Sequence, residues 1–295
     1  MTILETHIVP ENVSNIRLSD YAIGIFSIIP TRKGMKKAIK KGSVYIDGQV
    51  ATTGRWVVSG QVIQLMELVQ KPLKVYQLDL QVIYEDNEIA LLNKPSGIVV
   101  SGNQFRTIQN ALPNNLFNST AVDAFPCPLP VHRLDYSTSG LLLIAKTQSA
   151  RRVLGTAFEL RRIQKEYQAL VIGKTPDQGV MEEPIKQKES QTTFKTLGTV
   201  PSLKNGYLSL VQLFPLTGRM HQLRIHLSDA GFPILGDKLY GTSGMILKGK
   251  GLFLCAVGLQ FMHPKTGVVM KFKIPNPPKF QTFMERERKR WEKYH

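Results

Sequence analysis

Cysteine is scarce in this chain, with only Cys127 and Cys255 among 295 residues. Two cysteines without ligand-like spacing make neither a disulfide framework nor a zinc site, and they fit a reducing cytoplasm and no bound metal. Acidic residues are in deficit as well: 22 Asp and Glu stand against 38 Lys and Arg, a formal charge of +16. That surplus favours a polyanionic partner, nucleic acid first and an anionic membrane second. The membrane reading loses ground because no apolar run approaches the roughly 20 residues a spanning helix needs. Residues 1–15, MTILETHIVPENVSN, also lack the basic-then-apolar order of a signal peptide. What the chain does have is a hydrophobic content of 42%, ample for a core, in a length that suits one large domain and one small one.

Residues 1–15 read as an N-terminal extension and 16–70 as a small α/β module. Thr31 is a cap-like start for a helix that places Met35, Ala38 and Ile39 on one side, and Gly42 stops it. Residues 44–46, the pair Asp47-Gly48 and residues 49–51 then make a strand, a tight turn and a second strand. The other side of the helix carries Lys33, Lys36, Lys37, Lys40 and Lys41; with Arg32 that is six basic residues and no acidic one between Thr31 and Gly42. Such a face is a phosphate-sized footprint, although a solvated helix surface has the same composition.

Residues 71–79 read as a linker. Beyond it, 82–86 and 89–94 are strand-like runs around a polar turn at Asp86-Asn87, while 101–130, rich in Asn and Pro, predict a loop with a short helix. The uninterrupted apolar run 141–145 predicts a strand buried on both faces. Residues 149–162 are amphipathic, with Val153, Leu154, Ala157, Phe158 and Leu160 turned inward and Arg151, Arg152, Arg161 and Arg162 outward. Strands are expected at 165–172 and 207–214. A helix from Gly218 should bury Met220, Leu223 and Leu227, present Arg219, His221, Gln222, Arg224 and His226, and end at Gly231 with Pro233 beyond. Residues 284–295 form a charged tail, expected as a solvated terminal helix.

The chemistry concentrates around Asp135, a few residues before the core run. A bare carboxylate beside a core costs several kcal/mol unless it is paired. Read alone it caps a turn or meets a basic neighbour, and Arg224 is the candidate partner. A Ser/His/Asp hydrolase lacks its Gly-x-Ser-x-Gly stretch. A metal site built on His132, His221 and His226 fails because the last two are five residues apart on a helix.

The stretch His132-Arg133-Leu134-Asp135-Tyr136-Ser137-Thr138-Ser139-Gly140-Leu141-Leu142 resembles the catalytic motif of RluA-type pseudouridine synthases. That family's other marks follow in order from residue 80 to 280: Tyr84-Glu85-Asp86 through Asn93-Lys94-Pro95-Ser96-Gly97, Lys165-Glu166-Tyr167, Thr217 to Arg224, Gly231 to Asp237, and His263-Pro264. Ahead of them, Arg17-Leu18-Ser19-Asp20, Lys36 to Gly42 and Val44 to Gly48 resemble the alpha-L RNA-binding domain first recognised in a small-subunit ribosomal protein. The chain departs from that pattern at Gly60-Gln61, where the family has Gly-Asp.

The resemblance implies an isomerase that converts uridine to pseudouridine in structured RNA without a cofactor. Its fold would be α+β, a mixed and largely antiparallel sheet with a central cleft over residues 80–283. By motif position Asp135 would be the essential carboxylate, attacking ribose C1′ or ring carbon 6, or opening a glycal route. Tyr167 would be the tyrosine that packs on the base, and Arg224 the arginine that pairs with the aspartate. Arg133 would hold the RNA, with His132, Arg219, His221 and the five lysines of the module as further candidate contacts. Ribosomal RNA is the expected substrate and transfer RNA the alternative; no obligate protein partner is implied, and nothing demands more than a monomer. The competing reading is a non-catalytic ribosome-assembly protein of the same fold, against which the joint presence of Asp135, Tyr167 and Arg224 stands.

Overall fold

The computed structural model describes residues 2–13, 15–67, 75–242, 244, 246–247 and 249–294. The chain forms two compact units, Met1–Leu73 and Lys74–His295. Of the expected linker, 71–74 lie outside the described residues. Beyond them the chain already packs on the second unit: the Tyr76 amide donates to Asn110 O at 2.9 Å and the Leu80 amide to Asn115 Oδ1 at 2.7 Å.

The first unit contains β1 (Ile3–Ile8), β2 (Ile16–Arg17), α1 (Leu18–Tyr21), α2 (Arg32–Lys40), β3 (Val44–Ile46), β4 (Gln49–Val50), β5 (Trp56–Val57) and β6 (Val62–Met66). One sheet runs β1-β6-β3-β4, and β2 pairs with β5. Thr31 Oγ1 accepts from the Gly34 amide at 3.1 Å and so caps α2. Gly42, at φ +74°, donates to Ile39 O at 2.9 Å and closes the helix. Met35, Ala38 and Ile39 are buried, while Lys33, Lys37, Lys40 and Lys41 are exposed and Lys36 is half-buried. Asp47 (φ +50°) and Gly48 (φ +76°) supply the two positive angles of a tight hairpin turn.

Within the expected N-terminal extension, described residues 2–13 belong to the first unit. Strand β1 pairs antiparallel with β6, and Glu5 accepts from the amides of Ser27 at 2.9 Å and Ile28 at 3.1 Å. Neither face of β1 is deeply buried, so its sequence carries no apolar alternation to announce it.

The second unit contains β7 (Gln81–Glu85), β8 (Ile89–Lys94), α3 (Ile108–Asn115), β9 (Ala124–Pro130), β10 (Ser139–Thr147), α4 (Gln148–Glu159), β11 (Gln164–Ile172), β12 (Gln178–Met181), β13 (Thr192–Ser202), β14 (Gly206–Pro215), α5 (Gln222–Asp229), β15 (Leu254–Met262), β16 (Val269–Lys273) and α6 (Lys279–Tyr294). Its sheet runs β12-β13-β14-β11-β15-β10-β8-β7, with β16 added to β15 and β9 to β10. Every pairing is antiparallel except β10 with β15, so the unit is α+β with a mixed, largely antiparallel sheet.

That parallel pairing, the one between named strands, shapes the centre of the unit. It lasts two residues, Ser139 opposite Cys255 and Gly140 opposite Ala256. Then the strands part, β10 to pair with β9 and β15 to pair with β16. Gly140 has φ +111°, and a Cβ there would overlap the Ala256 backbone; only glycine lets the two strands touch. Leu141 to Ala145 are buried on both faces, as the apolar run requires.

Four expectations are corrected. β9 lies in a stretch read as loop, because AFPCPLP holds three prolines; it pairs with β10 alone, and an edge strand tolerates missing donors. In α4, Val153 and Leu160 are exposed, and the buried side is Ala150 and Leu154. α5 starts at Gln222, four residues after Gly218, and leaves Met220 exposed. Residues 284–294 belong to α6, which docks through buried Phe280, Phe283 and Glu287, and His295 lies outside the described residues. The two rings pack on Phe253 at 5.3 and 5.4 Å, and Ser202 Oγ donates to Glu287 at 2.7 Å.

Candidate active site

Asp135 sits in the loop between β9 and β10, where backbone bonds fix the chain. The Thr138 amide donates to Asp135 O at 3.1 Å and the Gly97 amide to Tyr136 O at 2.8 Å. The Lys94 ammonium, fully buried, donates to Thr138 O and Pro95 O, each at 2.8 Å. Burial pushes the Lys94 ammonium down to about 8, against the pull of Asp135. The aspartate side chain is 20% exposed and opens into a cavity of about 450 Å³, within the range of small-ligand sites.

His132 precedes it and does a different task. Where β9 leaves β10, the Leu143 amide has no strand partner, and His132 Nε2 accepts from it at 3.0 Å. The ring packs on Phe158, centroids 4.8 Å apart, and burial pulls its pKa from 6.5 to about 4. A neutral imidazole with its acceptor occupied brings no positive charge to a phosphate. Arg133 remains exposed on the cavity rim.

Tyr167 comes from β11, opposite Leu213 of β14 and Ala256 of β15. Burial, with the Asp135 charge adding to it, holds its phenol above the ordinary range, so it stays a hydroxyl.

Arg224 projects from α5. Its expected partnership with Asp135 takes an altered form: Nη1 is 3.8 Å from Asp135 Oδ2, whereas Nε and Nη2 each donate at 2.7 Å to the two oxygens of Asp237. Burial works against the guanidinium charge, but the Asp237 contacts outweigh it and keep Arg224 above its usual value. Asp237 is held below its own because Arg224 and the amides of Leu239 and Tyr240 offset its burial. The fork-to-fork geometry fixes the arginine, which then meets Asp135 as an oriented neighbour. His221 stands on the other side, Nε2 3.8 Å from Asp135 Oδ1 and Nδ1 3.0 Å from Tyr240 Oη.

The reason α5 begins late lies here. His221 is left-handed, φ +58° and ψ 20°, which ends any helix behind it. Gln222 Oε1 accepts from Thr217 Oγ1 at 2.7 Å and from the Arg219 amide at 3.0 Å, tying residues 217–219 to the helix start. His226 faces away, buried against Ser190 at 3.0 Å and Thr192 at 3.1 Å. Of the expected residues, Arg133, Asp135, Tyr167, Arg219, His221 and Arg224 line one cavity with His132; the five lysines belong to the first unit. Asp237, Lys94 and Lys165 lie within the family motifs without an expected role, and Gln222, expected on the presented side of its helix, is buried. Their spacing signalled importance but no partner.

A mixed sheet parted at its centre thus carries a cavity lined by a carboxylate, a tyrosine and an oriented arginine. The family model described as RNA pseudouridylate synthase matches residues 88–229. The chain is 32% identical to ribosomal large subunit pseudouridine synthase D of Vibrio vulnificus, covering 84% of this chain and 83% of that protein. It is 31% identical to an uncharacterized RNA pseudouridine synthase of Aquifex aeolicus, over 85% and 88%. The solved structure of human RNA pseudouridylate synthase domain containing 1 superposes with a TM-score of 0.57 at 26% identity, covering 67% of this chain and 84% of that one. The chain belongs to the RNA pseudouridine synthase family. It is an isomerase that converts uridine to pseudouridine in RNA.

Proposed function

We propose that this isomerase acts on large-subunit ribosomal RNA, in the cytoplasm and as a monomer, with Asp135, Tyr167 and Arg224 as its catalytic groups. The observation that supports the assignment is the setting of Asp135, with a guanidinium and an imidazole each 3.8 Å from one of its oxygens at the wall of the cavity. Ribosomal RNA is favoured by the names of several relatives, ribosomal large subunit pseudouridine synthases.

A stacked uridine offers its ribose and ring face to no side chain, so it must be extruded, at a few kcal/mol. Phosphate contacts offset that cost. Arg133, Arg219 and His221 are suited to make them at the cavity, and Lys33, Lys36, Lys37, Lys40 and Lys41 in an RNA-binding first unit. The Asp135 carboxylate supplies an electron pair to ribose C1′, to ring carbon 6, or to a ribose proton on a glycal route. Each route frees N1 and lets carbon 5 rejoin the ribose. The Tyr167 ring offers a stacking face, and its hydroxyl, kept protonated by burial, can exchange a hydrogen bond with the base.

Release of tritium from RNA labelled at uracil carbon 5 tests the assignment. Wild type should release it and Asp135→Asn should not, while both bind RNA. Equal release would remove Asp135 from the reaction.

A further inference from the structure

We propose that Lys165, with Arg133 and Arg219, forms an anion subsite in the active-site cavity that holds a backbone phosphodiester flanking the extruded nucleotide. The inference rests on the proposed function and adds to it a contact for the substrate backbone.

Lys165 lies on β11 two residues before Tyr167, on the same side of the strand and about 7 Å along it. Its ammonium donates to Thr217 O at 2.9 Å. Phe158, His132, Gly218 and Arg219 line the same cavity. A Cβ at Gly218 would stand 3.9 Å from the nitrogen, so the glycine keeps that side open.

Other sequestered lysines of this unit show what a structural ammonium looks like here. Lys146 has Glu85 at 2.6 Å and the Phe117 ring at 3.2 Å. Lys94 has two carbonyls at 2.8 Å. Lys279 has two carbonyls, at 3.1 and 2.8 Å, and the Phe253 ring at 4.5 Å. Lys165 has one carbonyl for three donors, and among the described residues no carboxylate lies within ion-pair distance of it. Holding a largely desolvated cation with so little compensation is costly, and an incoming anion removes the cost.

The charged groups facing it argue for that anion. From the end of α4 comes Arg161, paired at 3.1 Å with Glu189. The loop before β10 contributes neutral His132, Arg133 and Asp135, and the segment into α5 contributes Arg219, His221 and Arg224. Asp135 has Arg224 beside it at 3.8 Å, which leaves Arg133 and Arg219 as the other charged groups of the cavity that Lys165 shares. RNA presents phosphodiesters as its anions, and guanidinium with ammonium is the pairing that binds them. Burial and Arg161 also pull the Lys165 ammonium down to about 8, so the subsite should empty of charge in mild alkali.

The test is equilibrium binding of a short oligouridylate, native or with every linkage a neutral methylphosphonate, to wild type, Lys165→Met and Lys165→Arg. Lys165→Met should weaken the native oligonucleotide about tenfold, the scale of one charge-assisted hydrogen bond, and the neutral one not at all. The slope of log affinity against log salt should fall by about 0.7. Lys165→Arg should bind as wild type does, and in turnover Lys165→Met should raise KM with kcat little changed. A penalty equal for the two oligonucleotides, or absent from both, overturns the subsite. So does a wild-type affinity ratio between them that stays constant as pH crosses 8, a readout that needs no variant to fold. Lack of tritium release by wild type would instead sink the proposed function and leave the binding comparison intact.

Discussion

The lysine face of α2 and the cavity around Asp135 both concentrate charge, by opposite means. On α2 the cations are solvent-facing, sit at helical spacing and have water for company. Around the cavity the charges come from segments nearly ninety residues apart, and those that matter are held by partners: Arg224 by Asp237, Asp135 by Arg224 and His221. Exposed charge gives attraction that salt screens. Oriented, partly buried charge gives geometry, and it is vulnerable to the loss of any one partner.

The sharpest way to break the comparison is Asp237→Asn. The side chains of Arg224 and Asp237 are 6% and 0% exposed, and an amide would turn a donor toward a guanidinium that needs an acceptor. We expect a loss of about 3–5 kcal/mol from the stability of the second unit, read by urea denaturation, together with loss of tritium release. Arg224→Met with Asp237→Leu should recover much of the stability and none of the activity. If Asp237→Asn unfolds within 1 kcal/mol of wild type, the pair is not what fixes the arginine.

The same contrast explains what the sequence could disclose. Helix α2 was legible because its instructions are local: Thr31 caps it, Gly42 ends it, and apolar residues repeat on one side. The hairpin at Asp47-Gly48 and the buried strand around residues 141–145 were legible for the same reason. The Arg224–Asp237 pair was not, since nothing in a thirteen-residue separation says that two side chains meet as a fork. Nor was the late start of α5, which depends on the left-handed backbone of His221 and the bonds of Gln222 to Thr217 and Arg219. Residues 3–8 and 124–130 became strands through pairing with distant neighbours, against weak or contrary local signals.

Acid provides an intermediate test. His132 has a folded pKa of about 4 against an ordinary 6.5, so between those values the unfolded chain binds a proton that the folded one refuses. Its contribution is fully present above pH 6.5 and is lost as pH falls toward 4. The lowered carboxylates, Asp86, Asp123 and Asp237, depart from an ordinary 3.8 and act below this window. Urea midpoints for the second unit's transition should therefore fall on acidification through that window in wild type and stay flatter in His132→Gln. A midpoint independent of pH there would mean that the ring does not bridge the gap beside Leu143.

The smallest effects belong to the lysine face. Single replacements of Lys33, Lys37, Lys40 or Lys41 by Gln should change stability by no more than about 0.5 kcal/mol, because each is exposed and away from the core. Each that meets a phosphate should lower the salt slope of RNA binding by about 0.7 to 0.9, and kcat should be untouched. The sum matters more than any member: the fivefold Gln variant, Lys36 included, should bind RNA with a distinctly flatter slope while Asp135 chemistry continues at saturating substrate. A slope that does not move would make α2 an ordinary solvated surface and leave the +16 charge to act elsewhere in the chain. A fall in kcat would show that this face takes part in placing the uridine, and the division between attraction and geometry would no longer hold.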